Sequence, residues 1–211
     1  ETMSGLAGVR SKALVTVMDA SSEIHAQEFG EVQFTGQSLS GIVIFNLSHT
    51  AGEMLQDGES VSLCLDLVPD INEADLYMHF RKFRTNNPER SLQACLNGFV
   101  HEKLATYILE QCRWKQERIS ELNDVELQKL ADQIKKLTFH VTATAGAEDA
   151  QVSRGGADTR FIDPETMKLT VQEHVYVIGE LLDTDGICGG YNLMWAVITG
   201  MKAGFSIYDS N

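Results

Sequence analysis

Residues 137–146, LTFHVTATAG, decide how this chain is divided. Phe139, Val141 and Ala143 alternate with polar neighbours, which is the period of a strand with one covered face. The preceding residues 70–137 read as helices, and a strand that reappears after such a block is expected to rejoin the sheet it left. The chain therefore reads as an α+β protein: a β-domain of residues 1–69 plus 138–150, a helical insertion over 70–137, and a separate segment over 151–211.

Upstream, residues 9–18 (VRSKALVTVM) and 31–35 (EVQFT) alternate loosely and predict strands, the second following a turn signal at Phe29–Gly30. Residues 40–55 (SGIVIFNLSHTAGEML) fit a buried strand or a helix, because period alone does not settle a short β-branched run. Residues 60–70 (SVSLCLDLVPD) predict a strand in which Val61, Leu63 and Leu65 share a face. Four helices follow. Residues 71–83 carry Leu76, Met78, Phe80 and Phe83, with Asp70 as a plausible N-cap and a basic end. Residues 90–100 and 101–112 come next, then residues 123–137, with Asn123 or Asp124 as cap and an apolar stripe of Val125, Leu127, Leu130, Ile134 and Leu137.

Downstream lie a Gly155–Gly156 loop, an Asp163–Pro164 turn and a short apolar strand, residues 175–178 (VYVI). That strand leads into residues 179–204, GELLDTDGICGGYNLMWAVITGMKAG. Gly179 allows close backbone approach, and Glu180 projects a carboxylate from the strand's carboxyl end, where open α/β sheets bind ligands. Such a carboxylate accepts hydrogen bonds from ribose or ribityl hydroxyls and cannot bind phosphate. Gly189 and Gly190 then precede an apolar run, Tyr191 to Ile207, which reads as a buried core helix, being short and interrupted for a bilayer span. The free N–H groups and positive end of that helix favour an electron-rich partner such as the N1–C2=O edge of an isoalloxazine.

Composition narrows the alternatives. The 211 residues are enough for a large core, and a formal charge of −13 argues against a nucleic-acid or anionic-membrane partner. The four cysteines and six histidines are scattered, with no zinc spacing, so no metal is expected, and lone thiols fit a reducing cytoplasm. No GxSxG, HExxH or P-loop occurs, and no residue is marked as catalytic. The opening ETMSGLAGVR is not a signal peptide, and Met only at position 3 suggests that the natural start lies elsewhere.

Residues 170–180, TVQEHVYVIGE, resemble the second flavin-binding motif of two-dinucleotide-domain flavoproteins. Residues 179–204, with VSRGGADTRFIDPETM upstream, are similar to the carboxyl-terminal signature of the BaiN-type family of NAD(P)/FAD-dependent oxidoreductases, the aminoacetone-oxidase-type flavoproteins. FGEVQFTGQSLSGIVIFNLS resembles that family's GEhhFTxxGhSG loop, with Ser38 where the family usually has glycine, and LAGVRSKALVTV resembles the strand opening its inserted region.

The resemblance implies a small β-barrel-like domain with a helical insertion, followed by the carboxyl-terminal strand and helix of a Rossmann-like FAD-binding domain. It implies FAD as cofactor, NAD(P)H as electron donor and a small-molecule substrate. Gly179, Glu180, Asp185, Gly189, Gly190, Tyr191 and Asn192 would face the ribityl chain and the ring, with Gly155 and Gly156 lining the approach. Tyr191, Arg154 and His174 are proton-transfer candidates by position only. The family begins with a GxGxxG segment that this sequence lacks, and GLAGVR does not replace it. The chain is accordingly expected to be part of a longer protein, inactive and unable to hold FAD tightly alone, and to self-associate through its terminal segment. A noncatalytic binding or assembly module is the competing expectation.

Overall fold

The computed structural model describes residues 3–146, 148, 150, 152 and 154–209. The chain falls into two compact units, Glu1–Thr144 and Ala145–Asn211. The segments expected over 138–150 and 151–211 thus include positions 147, 149, 151, 153, 210 and 211, which lie outside the described residues.

In the first unit, β1 (Arg10–Met18), β2 (Ile24–Phe34), β3 (Leu39–Ser40), β4 (Val61–Asp66) and β5 (Leu137–Val141) form one curled antiparallel sheet in the order β3-β2-β1-β4-β5. The strand after the helical block does return to it, with Leu63 opposite Phe139. The expected turn at Phe29–Gly30 is absent; both residues sit inside β2, opposite Leu14 and Ala13. The turn is made instead at Asp19, whose Oδ1 accepts from the Ser21 amide, the Ser21 hydroxyl and the Glu23 amide, each at 2.8 Å. Gly30 serves a different need, since a Cβ there would lie 3.0 Å from the Val43 Cβ.

The ambiguous run 40–55 is a helix, α1 (Ile42–Gln56). Gly41 at φ +108 launches it from a position where a Cβ would lie 2.4 Å from the Glu31 carbonyl oxygen. Val43, Leu47, Ala51 and Met54 then recur at helical spacing and are buried. In the loop before α1, the Ser38 amide donates to Thr35 Oγ1 at 3.0 Å, and Ser38 lies outside the left-handed region, so a side chain is accommodated there.

The helical block contains α2 (Glu73–Asn86), α3 (Leu92–Leu96), α4 (Glu102–Cys112) and α5 (Asp124–Lys135). Asn72, not Asp70, caps α2, accepting from the Asp75 amide at 2.9 Å. The helix starts two residues later than Asp70 could serve, and only the residue just before its first turn reaches those amides. Asn123 caps α5 reciprocally: it accepts from the Glu126 amide at 3.0 Å, and Glu126 accepts from the Asn123 amide at 2.8 Å. Leu127, Leu130 and Ile134 are fully buried, whereas Val125, counted in the stripe, is 79% exposed. Two residues along a helix is about 200°, which puts Val125 opposite Leu127. Leu137 belongs to β5.

Phe80 is also fully buried. Phe139 stacks on Tyr107 at 6.1 Å and meets the edge of Phe34 at 6.1 Å. Side chains of this size contribute roughly 2 kcal/mol each by leaving water. A polar latch joins block to sheet. Lys135 Nζ donates to the carbonyls of Val68 (3.1 Å) and Ile71 (2.6 Å) and pairs with Asp66 at 2.6 Å, both side chains largely covered. None of the four cysteines is in a disulfide; burial pushes the Cys95 thiol up to about 12 and Cys112 to about 11.

The second unit has a small core of Ile162, Met167, Val177, Leu182 and Ala203. Residues 175–178 do not form the expected strand. Tyr176 makes one bridge with Lys168, and the Val177 amide donates to the Met167 carbonyl. The Leu169 amide also donates to the Val175 carbonyl at 2.8 Å, but a strand needs a partner strand along its length, and these few contacts with the described loops do not make a ladder. The apolar run becomes α6 (Tyr191–Asp209), but it is not a buried core helix: only Thr199 and Ala203 are buried. Leu193, Met194, Val197, Met201 and Phe205 are at least half exposed. The covered seam carries Ala196, Thr199 and Ala203, which let the loop backbone approach, while Trp195 packs partly buried against the small core. Among the described residues no helix is long and apolar enough to cross a membrane.

Candidate flavin-facing site

The site is built on α6 and on the loop 179–190 that runs back to its start. Gly179, buried and at φ +61, opens a short 3-10 turn, Gly179–Leu181. Its amide donates to Thr199 Oγ1 at 2.9 Å, and Thr199 Oγ1 donates to the Trp195 carbonyl at 2.7 Å. A Cβ on Gly179 would lie 3.4 Å from the Ala196 Cβ, so glycine permits the turn to sit directly on the helix. Glu180 follows, its side chain exposed.

Further along, Asn192 grips the loop at both groups of one peptide residue. Its Oδ1 accepts from the Gly186 amide at 2.7 Å and its Nδ2 donates to the Gly186 carbonyl at 3.1 Å. The Asn192 side chain, expected to face a ligand, is thus occupied within the loop, leaving its main-chain amide in the first helical turn. Asp185 meets Arg154 at 3.5 Å, an exposed ion pair of small energetic weight.

Gly189 (φ +127) and Gly190 (φ +93) are both exposed. A Cβ on Gly190 would touch nothing within 4 Å, and one on Gly189 would reach only the Tyr191 ring at 3.8 Å. The Met194 amide is the donor to the Gly190 carbonyl, so the amides of residues 191–193 have no acceptor within the helix. Tyr191 is 61% exposed at the same end. This is open backbone at a positive helix end, where an electron-rich group is favoured. A recess of about 350 Å³ beside Ser91, Leu109 and Trp114 belongs to the first unit.

Gly155 and Gly156 have separate roles. Gly155 is open, whereas Gly156 lies against backbone, where a Cβ would be 2.5 Å from the Leu181 carbonyl oxygen. That contact lets Ala157 bridge Leu182, with the Ala157 amide donating to Leu181 at 2.8 Å and the Asp183 amide to Ala157 at 3.0 Å. His174, at φ +61, is exposed. Nearby, the Arg160 guanidinium holds the Asp158 carboxyl below its usual range. Thr199 was not among the sequence candidates; a hydroxyl inside an apolar helical run was its signal, and that signal is weak because threonine also bonds its own helix.

The residues fit the ring and ribityl end of FAD: bare, exposed amides at one end of the loop and a carboxylate at the other. The sequence carries no GxGxxG turn for the pyrophosphate. Residues 1–152 match the family model described as "HI0933-like protein barrel and H2TH domain". Over 199 residues the chain is 33% identical to the 3-dehydro-bile acid delta(4,6)-reductase of Clostridium scindens, covering 94% of this chain and 48% of that protein. It is 28% identical over 205 residues to a ribosomal RNA dihydrouridine synthase of Haemophilus influenzae, covering 97% and 48%. It is 28% identical over 197 residues to that of Escherichia coli, covering 93% and 46%. The chain spans about half the length of these curated relatives.

Proposed function

This chain belongs to the HI0933-like, BaiN-type family of FAD oxidoreductases, and from that premise we propose that it is the inserted region and flavin-facing segment of a longer reductase. The reaction is reduction of a carbon–carbon double bond conjugated with a carbonyl. FAD, when bound, would supply the hydride, drawn from NAD(P)H, and a proton from solvent would complete the saturation. The relatives' names support the reaction class, because a delta(4,6)-reductase and a dihydrouridine synthase both saturate double bonds. In a 3-oxo steroid and in uracil alike, the double bond is activated by a carbonyl.

The chain's own residues divide the work by chemistry. Glu180 accepts hydrogen bonds from ribityl hydroxyls. The amides at Gly189, Gly190, Tyr191 and Asn192, with the positive end of α6, favour negative charge at the N1–C2=O edge of the ring and so ease its reduction. Gly155 lines the approach, and Gly156 ties that loop to residues 181–183. Asp185 steadies Arg154 beside it. The single observation carrying this reading is the open Gly189–Gly190 backbone at the start of α6, with Glu180 fixed on the same helix's loop.

The experiment is FAD titration and potentiometry on the protein carrying its amino-terminal nucleotide-binding segment. Glu180→Ala is expected to weaken FAD binding. Gly190→Val is expected to lower the flavin potential by about 20–40 mV, corresponding to roughly 1–2 kcal/mol lost from the reduced form. If both variants match the wild type in affinity and potential, the assignment fails.

A further inference from the structure

Asn192 and Thr199 stand seven residues apart on α6, which returns them to nearly the same face about 10 Å apart along the axis. Each seizes the backbone of loop 179–190: Thr199 holds the Gly179 amide at 2.9 Å, and Asn192 holds both polar groups of Gly186 at 2.7 and 3.1 Å. Between them Ala196 lets Gly179 approach, and one turn beyond Thr199 the seam ends on the buried Ala203. The loop is thus fixed at two points to a single rigid rod.

We propose that Thr199 and Asn192 are positioning residues, using α6 as a ruler to set the separation between the Glu180 carboxylate and the Gly189–Gly190 amides. The proposal rests on the flavin-facing reading of this segment. Neither side chain need touch the cofactor. Glu180 follows the Gly179 clasp by one residue, so its backbone moves with it. Gly189 and Gly190 span the short interval between the Gly186 clasp and the first turn of α6, so releasing Gly186 frees them as well. Because Gly179 and Thr199 are both buried, loss of the hydroxyl leaves an unpaired amide that reaches water only if the turn lifts off the helix.

Thr199→Val keeps the shape and removes the acceptor; Thr199→Ser keeps the acceptor. Asn192→Ala removes both Gly186 contacts, and Asn192→Asp keeps the acceptor but sets a carboxylate against the Gly186 carbonyl. In the protein with its amino-terminal segment, Thr199→Val and Asn192→Ala are each expected to weaken FAD binding about tenfold and to lower the flavin potential. Asn192→Asp is expected to behave like Asn192→Ala, and Thr199→Ser to restore wild-type values. In the absence of FAD, amide exchange at Gly179 should speed up in Thr199→Val and at Gly186 in Asn192→Ala, which reads the clasps without the cofactor. Should Thr199→Val fold poorly, the Asn192 pair and the exchange at Gly186 decide the matter. Wild-type affinity and potential in Thr199→Val and Asn192→Ala, alongside altered values in Glu180→Ala and Gly190→Val, would overturn the ruler alone. Wild-type values in all four variants overturn both the ruler and the flavin assignment.

Discussion

Replacing Gly156 by alanine should open the second unit where replacing Gly155 does not. Gly156 lies at φ +149, and a Cβ there would be 2.5 Å from the Leu181 oxygen, 2.8 Å from the Leu182 carbonyl carbon and 2.9 Å from the Asp183 nitrogen. All three are backbone atoms, so no side chain can swing aside. The two segments must separate, breaking the Ala157-to-Leu181 and Asp183-to-Ala157 hydrogen bonds. Two bonds at about 1 kcal/mol each, plus about 1–3 kcal/mol for a backbone region that only glycine favours, give a cost of about 3–5 kcal/mol. Gly155, at φ +92 with nothing within 4 Å, should cost only the backbone share, about 1–2 kcal/mol. Hydrogen exchange at the Asp183 amide measures the difference directly, since 1.4 kcal/mol is tenfold. Gly156→Ala should accelerate it by roughly a hundred- to a thousand-fold or more, and Gly155→Ala by far less. Equal rates in the two variants would refute the steric argument.

Two other perturbations test the first unit. Lys135→Met leaves Asp66 and the carbonyls of Val68 and Ile71 without their donor, which should cost about 3 kcal/mol and shift the urea midpoint by roughly 1–2 M; an unchanged midpoint removes the latch from the account. Asp19 is held below its usual value of 3.8, first by the Ser21 hydroxyl, then by the Glu23 and Ser21 amides and His25. A depressed carboxylate stabilises the fold above its ordinary value and ceases to do so as pH falls through the lower folded value. In an NMR titration the Ser21 and Glu23 amide shifts should follow Asp19 with a midpoint below 3.8, and Asp19→Asn should abolish the transition; a midpoint at the ordinary carboxylate value would contradict the hydrogen-bond account.

Local signals carried most of the first unit. The alternation of Val61, Leu63 and Leu65 and the cap expected at Asn123 or Asp124 act within a few residues, so they are visible in the sequence, and the structure has the strand and the Asn123 cap. The misread features each depended on something distant. Gly30 looked like a turn because its requirement, the approach of Val43, comes from another element. Residues 175–178 have strand chemistry, but a strand exists only with a neighbour, and the described loops provide one bridge. The site followed the same rule. Glycines and an acid at a helix start are legible from spacing, while the occupied Asn192 side chain and the buried Thr199 become evident only when the loop folds back on α6.

Helix α6 buries Thr199 and Ala203 but displays Leu193, Met194, Met201 and Phe205, and the consequence is one of local stability. With five residues at its centre, the second unit excludes too little water to hold its shape as firmly as the first, whose fully buried side chains include Phe34, Phe80, Leu65 and Ile134. The second unit is therefore expected to open before the first, baring more of the apolar helix surface as it does so.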